Sequence, residues 1–482
     1  MTKQFLAAAV FGLALSAASA QQLDFRVTGA PLRADSVDPA IAPLLRQVSA
    51  TQIQKNIEKL VSFHNRSTLS SMETGLPEGT GITAAAAWIK SQFEQYSKDC
   101  GGCLEVKEDT FIEPAGKPSA NGAPPRINRP TKLTNVYAVM KGTDPTQSAR
   151  RVLVTGHYDT RVGDVMDTHA FAPGANDDSS GTAVSLECAR VLSKAKLPAT
   201  VIFVAVAGEE QGLNGSRHLA QLAKSEGWQL EAVLNNDIVG GNTTPGEKLQ
   251  SKSLVRVFSE NVPLNATEAE MRRMLSLGEE SDSPSRQVAR EVLSVARTYF
   301  PVPTSVKPVM VLRLDRYLRG GDHSSFNREG FAAVRFSEWR EDFHHQHQQV
   351  RTENGIEYGD LLKFDDFGYI ARVARLNLAT LATMATAPGM PAKVRMVTSN
   401  LDNDSILKFD APEGAPEGTW YQLVWRETNA SDWQFAGKAA AYAEKADGAT
   451  HTVTLPVSKD NTLFGVRACT RAGICSPAVA PL

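Results

Sequence analysis

Four apolar, strand-like runs in this chain each end in a polar turn that carries chemically versatile side chains. Residues 151–155 (RVLVT) run into Gly156 and His157. Residues 199–206 (ATVIFVAV) are almost continuously apolar and β-branched, the pattern of a strand buried on both faces of a parallel sheet, and Gly208-Glu209-Glu210 follows. Residues 231–234 (EAVL) lead into Asp237, and residues 331–336 (FAAVRF) lead towards His344. Helix-like segments lie between and after them: 181–193, where Ser179 and Ser180 suit an N-cap, then 214–225, 286–299 and 367–386. Alternating buried strands and helices predict an α/β fold with a mostly parallel central sheet flanked by helices. Ligands of such sheets bind beyond the carboxyl ends of the strands, so the polar turns are expected to converge on one edge.

The pattern changes at 387–391 (APGMP). Short alternating runs follow at 418–426, 433–436, 449–456 and 462–468, divided by Asn, Asp, Gly and Ser, and predict a small all-β sandwich over 393–482. A length of 482 residues, more than one core comfortably supports, agrees with two units, the first over 21–388 with an insertion at about 240–305. The N-terminus has Lys3, an apolar stretch over 5–15 and the small-residue ending Ala18-Ser19-Ala20, which read as a signal peptide cleaved near Ala20. That stretch is too short for a membrane anchor and no later run is long enough, so a periplasmic or extracellular protein without a membrane span is expected. An oxidising compartment favours the close pairs Cys100/Cys103 and Cys469/Cys475 as disulfides, leaving Cys188 as a core residue. A net charge of −2 and no dense basic patch argue against a nucleic-acid partner. Oligomeric state has no signal in the pattern.

The candidate chemistry sits in six stretches: GHYDT (156–160), GANDDSSG (174–181), AGEEQG (207–212), NND (235–237), GGDHSSF (320–326) and EDFHHQH (341–347). Taken singly, a His-x-Asp is usually an ordinary turn, and an acidic pair before a helix is usually a dipole-favoured first turn. Taken together, at successive strand ends, imidazoles and carboxylates are the ligand set of Zn²⁺.

These stretches resemble the secreted dinuclear zinc aminopeptidase family, which includes glutamate carboxypeptidase-like enzymes and glutaminyl cyclases; the likeness covers roughly 53–386. The resemblance implies two Zn²⁺ per chain, with His157 and Asp237 on one, Glu210 and a histidine of the FHHQH stretch on the other, and Asp177 bridging. It implies Glu209 as general base and Asp159 as the carboxylate orienting His157. Alignment on Phe343 favours His344 as the last ligand, with His345 and His347 as alternatives. Asp322-His323 resembles a segment that lines the pocket without binding metal. Residues 463–478 (LFGVRACTRAGICSPA) resemble the closing hairpin of a fibronectin type III domain.

The implied activity is hydrolysis of the first peptide bond of peptide substrates. Alternatives are a glutaminyl cyclase with a single zinc, whose His-Tyr-Asp and Gly-Ser-Arg-His-Leu patterns recur at 157–159 and 215–219, or a related dinuclear zinc carboxypeptidase. A non-enzymatic binding protein is disfavoured because Glu209 and every expected ligand type are present. Residues 113–129 read as a Pro- and Gly-rich surface loop, and the insertion at 245–299 is expected to overhang the pocket.

Overall fold

The computed structural model describes residues 25–118, 122, 124–302, 305–399 and 401–481; the expected signal peptide and its cleavage point lie outside them. Eight strands, β1 (Leu104–Glu113), β2 (Thr131–Met140), β3 (Arg150–His157), β4 (Thr200–Val206), β5 (Gln229–Asn236), β6 (Leu254–Ser259), β7 (Lys307–Val311) and β8 (Ala333–Glu338), form one sheet in the order β1-β2-β4-β3-β5-β8-β6-β7. Its middle, β4-β3-β5-β8, is parallel. The described helices are α1 (Ile41–Leu45), α2 (Ala50–Val61), α3 (Gly81–Asp99), α4 (Ser180–Leu192), α5 (Asn214–Ser225), α6 (Glu268–Leu277), α7 (Pro284–Tyr299), α8 (His323–Arg328) and α9 (Phe367–Thr386). Among the described residues no helix is long and apolar enough to cross a membrane.

The unbroken apolar run of β4 follows from burial on both faces. Val201, Phe203 and Ala205 join the core built with α4 and α9, whereas Ile202, Val204 and Val206 join the core built with Leu219, Ala220 and Ala223 of α5. Side chains of a strand alternate between faces, so a covered sheet demands apolar residues at every position. The chain leaves β3 through α4 to reach β4 on one side, then returns through α5 on the other face to β5 on the other side. This reversal at β3 opens a crevice beyond the strand ends. Helix α9 is buried nearly all round, which accounts for its lack of a polar stripe.

Close approach of α4 to β3 depends on two glycines. A Cβ at Gly156 would lie 2.3 Å from the backbone of Gly181, and one at Gly181 would lie 2.1 Å from the carbonyl oxygen of Asn236. Any side chain at either position would push the 174–181 loop away from His157.

The insertion is part of the sheet: β6 pairs with β8 and with β7, while α7 buries Val288, Val292 and Val295 against the core. Helix α7 starts on a clean signal, Ser283 capping the N–H of Arg286 with Pro284 at the first helical position. After the short hairpin β9 (Arg351–Glu353) and β10 (Ile356–Tyr358), strands β11 (Ala392–Val397), β12 (Ser405–Asp410), β13 (Trp420–Glu427), β14 (Phe435–Lys438), β15 (Ala443–Asp447), β16 (Thr450–Leu455) and β17 (Thr462–Cys469) make two antiparallel sheets, β11-β12-β16-β15 and β14-β13-β17. Leu407, Phe409 and Val453 from one sheet meet Leu423, Trp425 and Val466 from the other in a single core. Cys100–Cys103 and Cys469–Cys475 are disulfides and Cys188 is a buried free thiol.

Buried ion pairs join these sheets to α7. Asp282 takes Arg290 and Arg426 at 2.6 Å each, and Arg467 takes Asp35 at 2.7 Å and Glu291 at 3.1 Å. The N-terminal segment crosses the same seam, with Leu32 N–H donating to the Gln434 carbonyl and Ala436 N–H donating to the Ala30 carbonyl. Removing one partner of a buried pair strands the other charges, so Asp282→Ala is expected to lower unfolding free energy by about 3 kcal/mol in urea titration. Lys90→Ala, at the exposed pair with Glu94, is expected to leave the urea midpoint in place.

Candidate metal centre

The three parallel strands that flank the crevice each deliver a side chain to it. β3 ends at His157; β4 is followed by Gly208, in the left-handed conformation at φ +75°, then Glu209 and Glu210; β5 is followed by Asp237. The loop entering α4 supplies Asp177. His157 Nε2 lies 3.2 Å from Asp177 Oδ1 and 3.9 Å from Asp237 Oδ1. His347 Nε2 lies 3.0 Å from Asp177 Oδ2 and 3.0 Å from Glu210 Oε1. Each carboxylate oxygen of Asp177 thus faces a different histidine. Two groups have ligand atoms close enough to share a cation: His157 with Glu209 and Asp237, and Asp177 with Glu210 and His347.

The structure brings together His157, Asp177, Glu209, Glu210 and Asp237, with Asp159 behind them, and leaves His344 outside. His344 is about half exposed, with Nδ1 3.3 Å from Asp342 and its ring edge-on to Tyr358. His345 stacks on Phe364. The position expected for His344 is held by His347, because residues 343–347 form a tight turn. Asp342 anchors it: its carboxylate accepts the N–H of His344 and its carbonyl those of His345 and Gln346. His347 closes the turn at φ +53°. Counting from Phe343 along an extended chain misses this reversal. Gln346 also points inwards and donates to Asp177 Oδ2 at 3.0 Å.

Asp159 does more than orient an imidazole. His157 Nδ1 lies 3.1 Å from the Asp159 carbonyl and 3.5 Å from its carboxylate. The same carboxylate accepts the backbone N–H groups of Glu209 and Glu210 and the hydroxyl of Thr68, so it ties the β3 and β4 turns together. Asp178 accepts the N–H groups of His157, Gly181 and Ile238 and joins three loops in the same way. His323 is fully buried with Nε2 2.9 Å from the Leu314 carbonyl, and does not reach the cavity that the cluster faces.

Several positioning residues lie outside the sequence motifs. Asp360 accepts the N–H groups of Asn176 and Asp177. Arg66, fully buried, donates to the carbonyls of Leu60, Tyr158, Pro173 and Gly174 and to Ser179 Oγ. Ser179 is therefore committed to the loop and does not cap α4 with its side chain. Arg335, also fully buried, lies 2.8 Å from Asp237 Oδ1 and 3.3 Å from Asp315. An arginine inside the apolar FAAVRF run was the one signal the sequence offered for this group.

Crowding of buried carboxylates dominates the electrostatics. Burial, followed by the anions of Asp237 and Glu210, holds the Glu209 carboxyl well above its ordinary value despite His157. Burial opposes protonation of His157, yet Asp159 and Asp177 outweigh it and raise its pKa. Burial likewise opposes protonation of His347, and Glu210 and Asp177 push it up to about 10. In the metal-free chain the histidines serve as the cations. His157 Nε2 faces Asp177 at 3.2 Å, and Glu210 Oε1 faces His347 at 3.0 Å. A divalent cation such as Zn²⁺ could take the place of those imidazolium protons, since imidazole nitrogens and carboxylate oxygens converge in both groups and are its usual ligands.

The cluster opens on a cavity of about 410 Å³. Its lining includes Arg126, from the loop expected only to wander on the surface, and Arg316 and Arg319. No residue of 245–299 lines it, so the expected overhang is not present: α7 spends its apolar face on the core. Another cavity, of about 440 Å³, lies at the seam with the C-terminal sheets, where Arg150 pairs with Glu231 and Asp282 with Arg290.

The model of peptidase family M28 matches residues 135–366, a span that contains every strand-end acid and both clustered histidines. A probable zinc metalloprotease of Leptosphaeria maculans is 41% identical over 442 residues, covering 92% of this chain and 96% of its own length. One from Pyricularia oryzae is 41% identical over 463 residues, covering 94% and 86%. The chain belongs to peptidase family M28. Among solved structures, an aminopeptidase from Aneurinibacillus sp. strain AM-1 is 17% identical with a TM-score of 0.48, over 73% of this chain and 97% of its own. A glutaminyl cyclase from Porphyromonas gingivalis is 17% identical with a TM-score of 0.44, over 69% and 97%.

A histidine whose folded pKa is raised contributes stability that is complete below its unfolded value near 6.5 and is lost as pH rises through the folded value. EDTA-treated protein is therefore expected to lose melting temperature between pH 6.5 and about 10. His347→Gln should flatten that slope in a thermal-unfolding series.

Proposed function

We propose that this chain is an exported, zinc-dependent aminopeptidase that removes N-terminal residues from peptides, with a peptidase unit over 21–388 and a fibronectin type III-like unit over 393–482. The observation that carries the reading is the placement of Asp177 between His157 and His347, with Glu209 beside them. His157, Asp237 and Asp177 would hold one zinc; Glu210, His347 and Asp177 would hold the other. His347 replaces His344 in this assignment. The curated relatives described as probable zinc metalloproteases support the choice of metal and of reaction. The two disulfides agree with export.

Zinc bound there would supply Lewis acidity and lower the pKa of a bound water. The chain's own residues do the rest. Glu209 takes a proton from the attacking water and passes it to the departing amine nitrogen, which requires a carboxylate that is not itself a ligand. Its raised pKa, set first by burial, suits a group that must both accept and release a proton. Asp159 fixes the Glu209-Glu210 turn by its backbone N–H groups and so keeps the base and the adjacent ligand in register. Asp360 and Asp178 hold the Asp177 loop from either side.

Glu209→Gln is expected to lower kcat on leucine 4-nitroanilide by about 10²–10⁴-fold while metal analysis still finds two zincs per chain. His347→Ala should lose one zinc equivalent, and His344→Ala should keep both. One zinc in the native protein, with pyroglutamate formation from a glutaminyl peptide and no leucine release, would replace this reading with the cyclase.

A further inference from the structure

The wall of the 410 Å³ cavity carries two sets of charge. Its floor holds Asp177, Glu209, Glu210 and Asp237, and its sides hold Arg126, Arg161, Arg316 and Arg319. Arg316 is committed: it donates to Asp315, to Glu341 and to the Gly320 carbonyl. Arg319 reaches Glu341 and Gln346 at 3.3 Å. Arg126 donates once, to the backbone carbonyl of Glu210.

Arg161 differs from all of these. Its side chain is only 15% exposed, its Nε is buried with no partner, and its nearest carboxylate, Glu210 Oε2, is 3.8 Å away, beyond hydrogen-bond range. Among the described residues its guanidinium makes no hydrogen bond, whereas the fully buried Arg66 makes five. Two divalent cations on the floor would balance the four acids there, and the sides would keep more arginine than the carboxylates of Asp315 and Glu341 offset. A buried guanidinium nitrogen with no hydrogen bond and only one carboxylate, 3.8 Å away, is costly, and a substrate group that completes its contacts recovers that cost. The guanidinium fork matches a carboxylate best.

We propose that the cavity selects peptides bearing a carboxylate close to the cleaved bond, and that Arg161 is the residue that receives it. The proposal rests on the peptidase reading and adds the substrate class. The carboxylate has two possible sources, an acidic side chain on the first residue or the C-terminus of a dipeptide, and each has its own comparison. Wild-type enzyme is assayed on glutamyl against glutaminyl 4-nitroanilide, and on Leu-Gly against Leu-Gly amide. The charged member of at least one pair should have the higher kcat/KM by about 10- to 100-fold at low salt, and Arg161→Gln should bring that ratio close to one. Cleavage of the uncharged members by the variant reports that it is folded. If it does not fold, Arg161→Lys, which keeps the charge and loses the fork, should reduce the ratio severalfold.

Equal rates within both pairs for the wild type, or a preference that survives substitution of Arg161, would overturn the proposal and leave the peptidase reading standing. Failure to cleave any of the four substrates by zinc-loaded enzyme would sink both.

Discussion

Mutual repulsion among buried carboxylates is the constraint around which the centre of this protein is arranged. Asp177, Asp237 and Glu210 are nearly inaccessible, with Glu209 between them and Asp159 and Asp178 fully buried behind. Desolvated charges of one sign at such spacing destabilise the fold unless each finds a donor or a cation. Backbone N–H groups answer Asp159 and Asp178; Arg335 answers Asp237; the two histidines answer Asp177 and Glu210. The acids that receive backbone donors lie behind, and those left to imidazoles and a single arginine face the cavity. That division separates framework from chemistry without reference to any motif.

The sheet makes this crowding tolerable by geometry. Winding reverses at β3, so loops from both faces open at one edge, and the Gly156–Gly181 approach brings the Asp177 loop against the end of β3. Arg66 then gathers the carbonyls of that loop, which would otherwise be buried without donors. The acids are held in place by connections made behind them, and their own side chains remain available to the cavity.

Much of this was legible in the chain. The unbroken run of β4 announced a strand covered on both faces, and β3, β5 and β8 followed from the same logic, so three strand-end turns were placed correctly. Strands β1 and β2 escaped because β1 is an edge strand whose charged, half-exposed residues (LEVKEDTFIE) lack the apolar pattern. Four strands of the C-terminal sheets were anticipated, whereas β11 and β15 bury at most one residue each, and β12 has only Leu407 and Phe409 as large buried residues. The sequence favoured His344 and kept His345 and His347 as alternatives; only His347 lies in the cluster, because a turn anchored on Asp342 reverses the chain within five residues, and side-chain order in a tight turn has no simple period. Asp360, Arg66 and Arg161 were invisible for a different reason: their roles come from partners distant in sequence, and no spacing encodes them.

The strand-like pairing of residues 30–32 with β14 and the ion pair of Asp35 with Arg467 join the start of the described chain to its final sheets. Residues 30–35 therefore acquire these neighbours only once residues 434–467 have been made. Loss of β14 and β17 would strip this early segment of its backbone partners and of the cation facing Asp35.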